Sequence, residues 1–231
     1  MEINRTTFLA GSLAVLSAAL TENVFSAEAP GSQQTGTASP ERLLGRLMAG
    51  NQRFVESDFP TTNHIVEKRE LLLDTQAPFA AILGCADSRV IPNLVFVQGL
   101  GDLFVTRVAG NFPDDLVTGS IEYAVEHLGT RLIMVLGHQN CGAIKAVYSA
   151  IESKQPLPPH LSAIQRLIAP GITSVVRAHG SMDAAVKANV RAAEEALQAT
   201  SPVISEAVKS GRVLVTGGVY QLGSGKVTLT D

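Results

Sequence analysis

Two short apolar runs that stop in the same way constrain this chain most. Phe79-Ala80-Ala81-Ile82-Leu83 leads into Gly84-Cys85, and Arg131-Leu132-Ile133-Met134-Val135-Leu136 leads into Gly137-His138. Unbroken apolar runs of this length fit strands buried on both faces, with helices above and below the sheet. Residues just beyond the carboxyl ends of parallel strands line the binding crevice of an open α/β sheet. If the two strands are neighbours, Cys85 and His138 face one site. The glycine before each is expected to allow a sharp turn off the strand.

The rest of the chain alternates in the same manner. Leu43 to Val55 repeats apolar residues at helical spacing, and Ile65 to Leu73 reads as a second helix. Further strands are expected at Leu103–Val108 and Val213–Val219, with a short edge strand at Lys226–Leu229. Helices are expected at Thr118–Leu128, Cys141–Ile151, Leu161–Ala169 and Ala184–Ala199, with Pro156 to Pro159 breaking the chain. This order predicts an α/β fold: a mostly parallel central sheet flanked by helices, preceded by an N-terminal helical arm.

The first residues differ. Phe8 to Leu20 is apolar, Arg5 precedes it and Ser26-Ala27 follows, which reads as a signal peptide over residues 1–26. Asn4-Arg5-Thr6-Thr7-Phe8-Leu9 resembles a twin-arginine export signal whose second arginine is Thr6. The alternative is an apolar helix that stays on the protein. Residues 27–39 are rich in Gly, Ser, Thr, Gln and Ala and read as a flexible linker. One domain is expected over 40–231, in a periplasmic or secreted protein. A net charge of −3 gives no reason to expect a nucleic-acid partner. No apolar run reaches the roughly 18 residues that stable membrane insertion needs.

Cys85 and Cys141 are the only cysteines. His138-Gln139-Asn140-Cys141 places a second sulfur three residues after the histidine, at the expected start of a helix whose dipole favours a thiolate. Two thiolates and one imidazole suit one zinc ion and leave a fourth position open to water. Soft sulfur donors argue against magnesium or calcium. A Cys85–Cys141 disulfide, or a buried thiol near a surface histidine, are the alternatives. Asp87 stands two residues from Cys85, close enough for its carboxylate to reach the metal or its water, with Arg89 placed to pair with it. Taken singly, Asp87 could cap a turn and Arg89 could be a surface charge.

At these residues the chain resembles the β-class carbonic anhydrases. Cys85-Ala86-Asp87-Ser88-Arg89-Val90 is similar to that family's first signature, and Gly137-His138-Gln139-Asn140-Cys141-Gly142-Ala143 to its second. The likeness also takes in Gly101 to Asn111 and Ser120 to Val125, and runs from about Pro40 to the end. It implies zinc on Cys85, His138 and Cys141, and a catalytic dyad of Asp87 and Arg89. It implies reversible hydration of carbon dioxide to bicarbonate and a proton by hydroxide on the zinc. Gln76, nine residues before the first cysteine, matches a substrate-binding glutamine of the plant-like type. Phe104 and Tyr123 match its aromatic pocket positions, and Gly142 is placed with them. The resemblance further implies a homodimer or higher homo-oligomer, pockets at the subunit interface, and a first helix that wraps the partner. Val97 departs from the family, standing where many members have aspartate. His64, His127, His160 and His179 are expected on the surface or in the core, so no protein proton shuttle is evident. Two other readings stay open: a relative acting on carbonyl sulfide or carbon disulfide, and a zinc-stabilised binding module with Asp87 as a permanent fourth ligand.

Overall fold

The structure is a computed structural model that describes residues 38–59 and 68–230. The signal peptide expected at 1–26 and the linker up to residue 37 lie outside the described residues, as does the start of the helix expected at Ile65. The last two linker residues belong to the fold. Ser39 caps the first helix by accepting a hydrogen bond from the Arg42 N–H, and the Ala38 carbonyl accepts one from Arg131 Nη1 at 2.9 Å.

The elements are α1 (Pro40–Val55), α2 (described over 68–71), β1 (Ala80–Cys85), α3 (Pro92–Val95), β2 (Leu103–Val108), α4 (Asp115–Glu126), β3 (Leu132–His138), α5 (Gly142–Ser153), α6 (Leu161–Arg177), α7 (Met182–Thr200), α8 (Pro202–Lys209), β4 (Leu214–Tyr220) and β5 (Val227–Leu229). The sheet order is β2-β1-β3-β4-β5, parallel except for β5. The expected α/β class and mostly parallel sheet are therefore present.

The two apolar runs are the central strands, and every residue of β1 and β3 is buried. Side chains alternate between faces. Ala80, Ile82, Leu132, Met134 and Leu136 pack with Leu43 and Leu47 of α1 and Val95 of α3. Ala81, Leu83, Cys85, Ile133 and Val135 pack with residues of α4 to α8. Leu47 is fully buried within its own chain, so α1 places its apolar face on its own sheet. Asn51 fastens it there: its Nδ2 donates to the Val95 and Gly225 carbonyls, and its Oδ1 accepts from the Val227 N–H.

Three expectations need correction. The helix from Leu161 was expected to end at Ala169; it continues through Pro170 to Arg177. An interior proline costs about 3 kcal/mol. Burying Ile168, Ile172 and Val176 on one stripe returns about 1.5–3 kcal/mol each, so the helix persists. The short helices α3 and α8 went unread; each begins with a proline, which suits a first helical position. Finally, Gly84 and Gly137 make no sharp turn. Both lie inside strands without positive φ. At Gly137 the cause is close approach: a Cβ there would stand 2.5 Å from Val190 Cγ2 of α7.

Candidate metal centre

β1 and β3 are parallel neighbours, with Gly84 opposite Leu136. Cys85 and His138 therefore end adjacent strands at the same edge of the sheet. The order 2-1-3-4-5 reverses direction between β1 and β3, which is where an open α/β sheet forms its binding crevice. Cys141 follows as the N-cap of α5.

Cys85, His138 and Cys141 are all buried, and their donor atoms lie within 4.8 Å of one another. The two sulfurs are 3.9 Å apart and not bonded, which removes the disulfide alternative. Two sulfurs each about 2.3 Å from a tetrahedral zinc would stand about 3.8 Å apart, so the spacing fits the ion. His138 Nδ1 lies 2.9 Å from the Gln139 carbonyl, to which it donates as Nδ1–H. That tautomer turns a bare Nε2 lone pair toward the sulfurs, and Nε2 is a buried atom with no hydrogen-bond partner among the described residues. A buried polar atom left so is costly unless something binds it. A cation there satisfies all three donors.

Electrostatics agree. The contact with Cys141 and the hydrogen bond from the Gly110 N–H hold the Cys85 thiol below its ordinary value against the cost of burial, while the same contact with Cys85 pushes Cys141 up. The pair thus already favours one thiolate, and a cation is what allows both to ionise.

Asp87 sits beside this group, with Oδ2 3.9 Å from His138 Nε2. Arg89 grips it in a fork: Nε donates to Oδ1 at 2.9 Å and Nη2 to Oδ2 at 2.7 Å, while the Arg89 backbone N–H donates to Oδ1 at 3.0 Å. These bonds hold the Asp87 carboxyl well below the usual carboxylate range. Sequence reasoning missed Arg107 of β2, whose Nε donates to the Cys85 carbonyl at 2.9 Å and whose Nη2 donates to the Asp87 carbonyl at 2.6 Å. It clamps the loop that carries both a ligand and the dyad. Nothing in the strand pattern marks it, since it reads as one polar residue on an edge strand.

Gln76, Phe104 and Tyr123 form a second group. A cleft of about 700 Å³ is lined by Gln76, Tyr123 and His127, among others. The Phe104 and Tyr123 rings are 6.4 Å apart, and Tyr123 lies against His127 at 5.0 Å. This cleft contains none of the metal-site residues. Gln76 precedes β1 and Cys85 ends it; at about 3.3 Å per residue the strand separates the two by roughly 17 Å or more. Gly142 is exposed at the first turn of α5, on the metal side.

Among the described residues no helix is long and apolar enough to cross a membrane. A family model described as carbonic anhydrase matches residues 80–227, which include both signatures. Carbonic anhydrase 2 of Mycobacterium tuberculosis is 39% identical over 194 residues, covering 84% of this chain and 94% of that protein. The carbonic anhydrase of Pseudomonas aeruginosa is 33% identical over 195 residues, covering 80% and 86%. Among solved structures, the β-carbonic anhydrase CcaA aligns with a TM-score of 0.66 at 29% identity, covering 80% of this chain and 86% of that one. The Coccomyxa β-carbonic anhydrase in complex with acetazolamide aligns with a TM-score of 0.63 at 28% identity, covering 80% and 85%. With two cysteines and a histidine gathered at the β1/β3 switch point and likeness running through nearly the whole described fold, the chain belongs to the zinc-dependent β-class carbonic anhydrase family.

Proposed function

We propose that the chain catalyses the reversible hydration of carbon dioxide to bicarbonate and a proton, with Cys85, His138 and Cys141 holding zinc and Asp87 and Arg89 acting as a dyad. Bound there, zinc supplies the Lewis acidity that makes water a nucleophile near neutral pH. The observation that carries the reading is the bare, buried His138 Nε2 facing two sulfurs 3.9 Å apart, with Asp87 at its side. The Asp87 carboxylate accepts a hydrogen bond from the attacking water and turns its lone pair toward the substrate carbon. Arg89 keeps that carboxylate ionised and engaged away from the donors. This engagement supports an enzyme over a binding module in which Asp87 closes the site.

Gln76, Phe104 and Tyr123 complete the site from a second copy in this reading. β2 is an edge strand of the sheet. Two copies that join their β2 edges antiparallel about a two-fold axis bring the amino-terminal end of one sheet beside the carboxyl-terminal end of the other. The cleft residues of one chain then approach the metal centre of its neighbour. Gln76 offers an amide donor to a substrate oxygen, and the two rings give an apolar wall to an apolar gas. The apolar stretch at residues 8–20 supports export to the periplasm or outside the cell.

Stopped-flow measurement of carbon dioxide hydration by the purified, metal-analysed protein tests the activity. About one zinc per chain and catalysis that vanishes in Cys85→Ser are expected; a zinc-loaded protein without hydration activity would refute it. N-terminal sequencing after bacterial expression should find a chain that begins near Ala27 outside the cytoplasm.

A further inference from the structure

Asn189 is fully buried in the middle of α7, between Val186 and Val190, where an apolar side chain would cost nothing to bury. Its Nδ2 donates to the Gly110 carbonyl at 2.8 Å, the one hydrogen bond its side chain makes among the described residues. Gly110 in turn donates its own N–H to Cys85 Sγ at 3.4 Å. The glycine is thus the joint between a helix on one face of the sheet and a metal-binding sulfur.

The joint needs an anchor. Gly110 sits at φ +87°, a left-handed conformation open chiefly to glycine, and a Cβ there would run into Ile168 Cδ1. A glycine is also the residue freest to rotate away. Its N–H and its carbonyl belong to the two peptide planes on either side of Cα. Fixing the carbonyl plane limits the rotations that could carry the N–H off the sulfur. The flanking turn gives partial support, since the Asn111 N–H and the Ala86 N–H both donate to the Val108 carbonyl. The Gly110 carbonyl itself is held by Asn189.

We propose that Asn189 is a positioning residue for the metal centre: by pinning Gly110 it keeps a backbone N–H on the Cys85 thiolate, and so sets how strongly that sulfur binds and donates to the metal. An N–H on a thiolate withdraws electron density from it, which lowers the energy of the sulfur donor orbital. Outer groups that orient metal ligands typically change metal affinity by about 10–100-fold when removed. The inference rests on Cys85, His138 and Cys141 being the metal ligands.

The test uses the full mature chain loaded with cobalt in place of zinc, as parent, Asn189→Leu and Asn189→Ala. In the variants the sulfur-to-cobalt charge-transfer band should move to lower energy while the visible bands of a four-coordinate ion persist. Zinc affinity, measured by competition with a chromophoric chelator, should fall by about 10-fold or more. Unchanged band energy and unchanged affinity, with only a lower melting temperature, would make Asn189 a simple anchor for α7 and overturn the proposal. Should neither variant fold, the parent loaded with ¹¹³Cd and labelled with ¹⁵N decides the matter. Scalar coupling from ¹¹³Cd to the Gly110 amide proton through the sulfur is expected, and its absence refutes the bond. A parent that takes up no cobalt, or a Cys85→Ser protein that takes it up unchanged, would instead remove the metal assignment itself.

Discussion

Replacing Gly137 with alanine would put a Cβ 2.5 Å from Val190 Cγ2 and 3.3 Å from Val186 Cγ1. Carbon atoms rest about 3.5–4.0 Å apart, so α7 and β3 must separate by about 1 Å. Overpacking of this kind costs about 1–3 kcal/mol. In a protein of this size each kcal/mol lowers Tm by about 2–4 °C, so a fall of roughly 2–12 °C is expected. The harm extends to the site, because the next residue is His138 and α7 carries Asn189. A misplacement near 1 Å can reduce turnover by on the order of 100-fold. Gly84 precedes the other ligand, yet an alanine there meets Pro92 Cγ at 3.7 Å and Arg107 Cγ at 3.9 Å, which are ordinary contacts. Gly84→Ala should melt no lower than the parent and gain up to about 1 kcal/mol from the less flexible unfolded chain. Calorimetric melting of the two zinc-loaded variants, with stopped-flow hydration on the same samples, separates them. Equal losses in both, or a harmless Gly137→Ala, would refute close helix packing as the reason for that glycine.

Arg89→Ala should retain zinc and lose about 10–100-fold in kcat/KM, because only the backbone N–H would still hold Asp87; X-ray absorption should show a carboxylate replacing water on the metal. Asp87→Asn should lower stability above about pH 4 and leave it unchanged well below. A carboxyl depressed by its partner contributes stability above its unfolded value of about 3.9 and loses it as the pH falls through the folded value, which denaturant titration at each pH would follow. Val97 holds a β-branched side chain at φ 46°, where asparagine is at ease. Val97→Asn should therefore raise stability by about 1 kcal/mol, read as a Tm gain of about 2–4 °C.

The parts of this fold that the sequence made legible are those whose signal is local. β1 and β3 declared themselves as unbroken apolar runs because both of their faces are covered. The ligand set followed because the residues after those runs stand at one edge of one sheet. Pro170 misled because local propensity opposes a helix there, whereas Ile168, Ile172 and Val176 bind it to a core assembled from distant segments. Gly137 misled for the same reason: its neighbours Val186 and Val190 lie about 50 residues away along the chain. Val97 was noticed only as a departure from relatives; its positive φ supplies the physical meaning, since aspartate tolerates that conformation better than valine does.

The same distinction applies to the substrate residues. A spacing of nine places Gln76 near Cys85 in sequence, and sequence alone invites the belief that they share a pocket. A strand converts sequence distance into length, however, and β1 carries the chain from one end of the sheet to the other between them. Within one chain, then, Gln76 and Tyr123 line a cleft at one end while the metal donors gather at the other. A two-fold pairing at β2 is the simplest operation that unites the two ends, and it does so twice, once for each copy. If that is how the site is built, breaking the edge should abolish hydration without emptying the metal centre. Val105→Pro, on the outermost strand, serves this purpose: the Asp102 and Val108 carbonyls accept from β1, so by alternation the Val105 N–H faces the open edge, and its loss leaves the β1 pairing and Cys85, His138 and Cys141 untouched. The expected result is a monomer by sedimentation that retains zinc and has lost catalysis. A zinc-loaded monomer with full turnover would show that each chain holds a complete site, and that Gln76 plays no part in it.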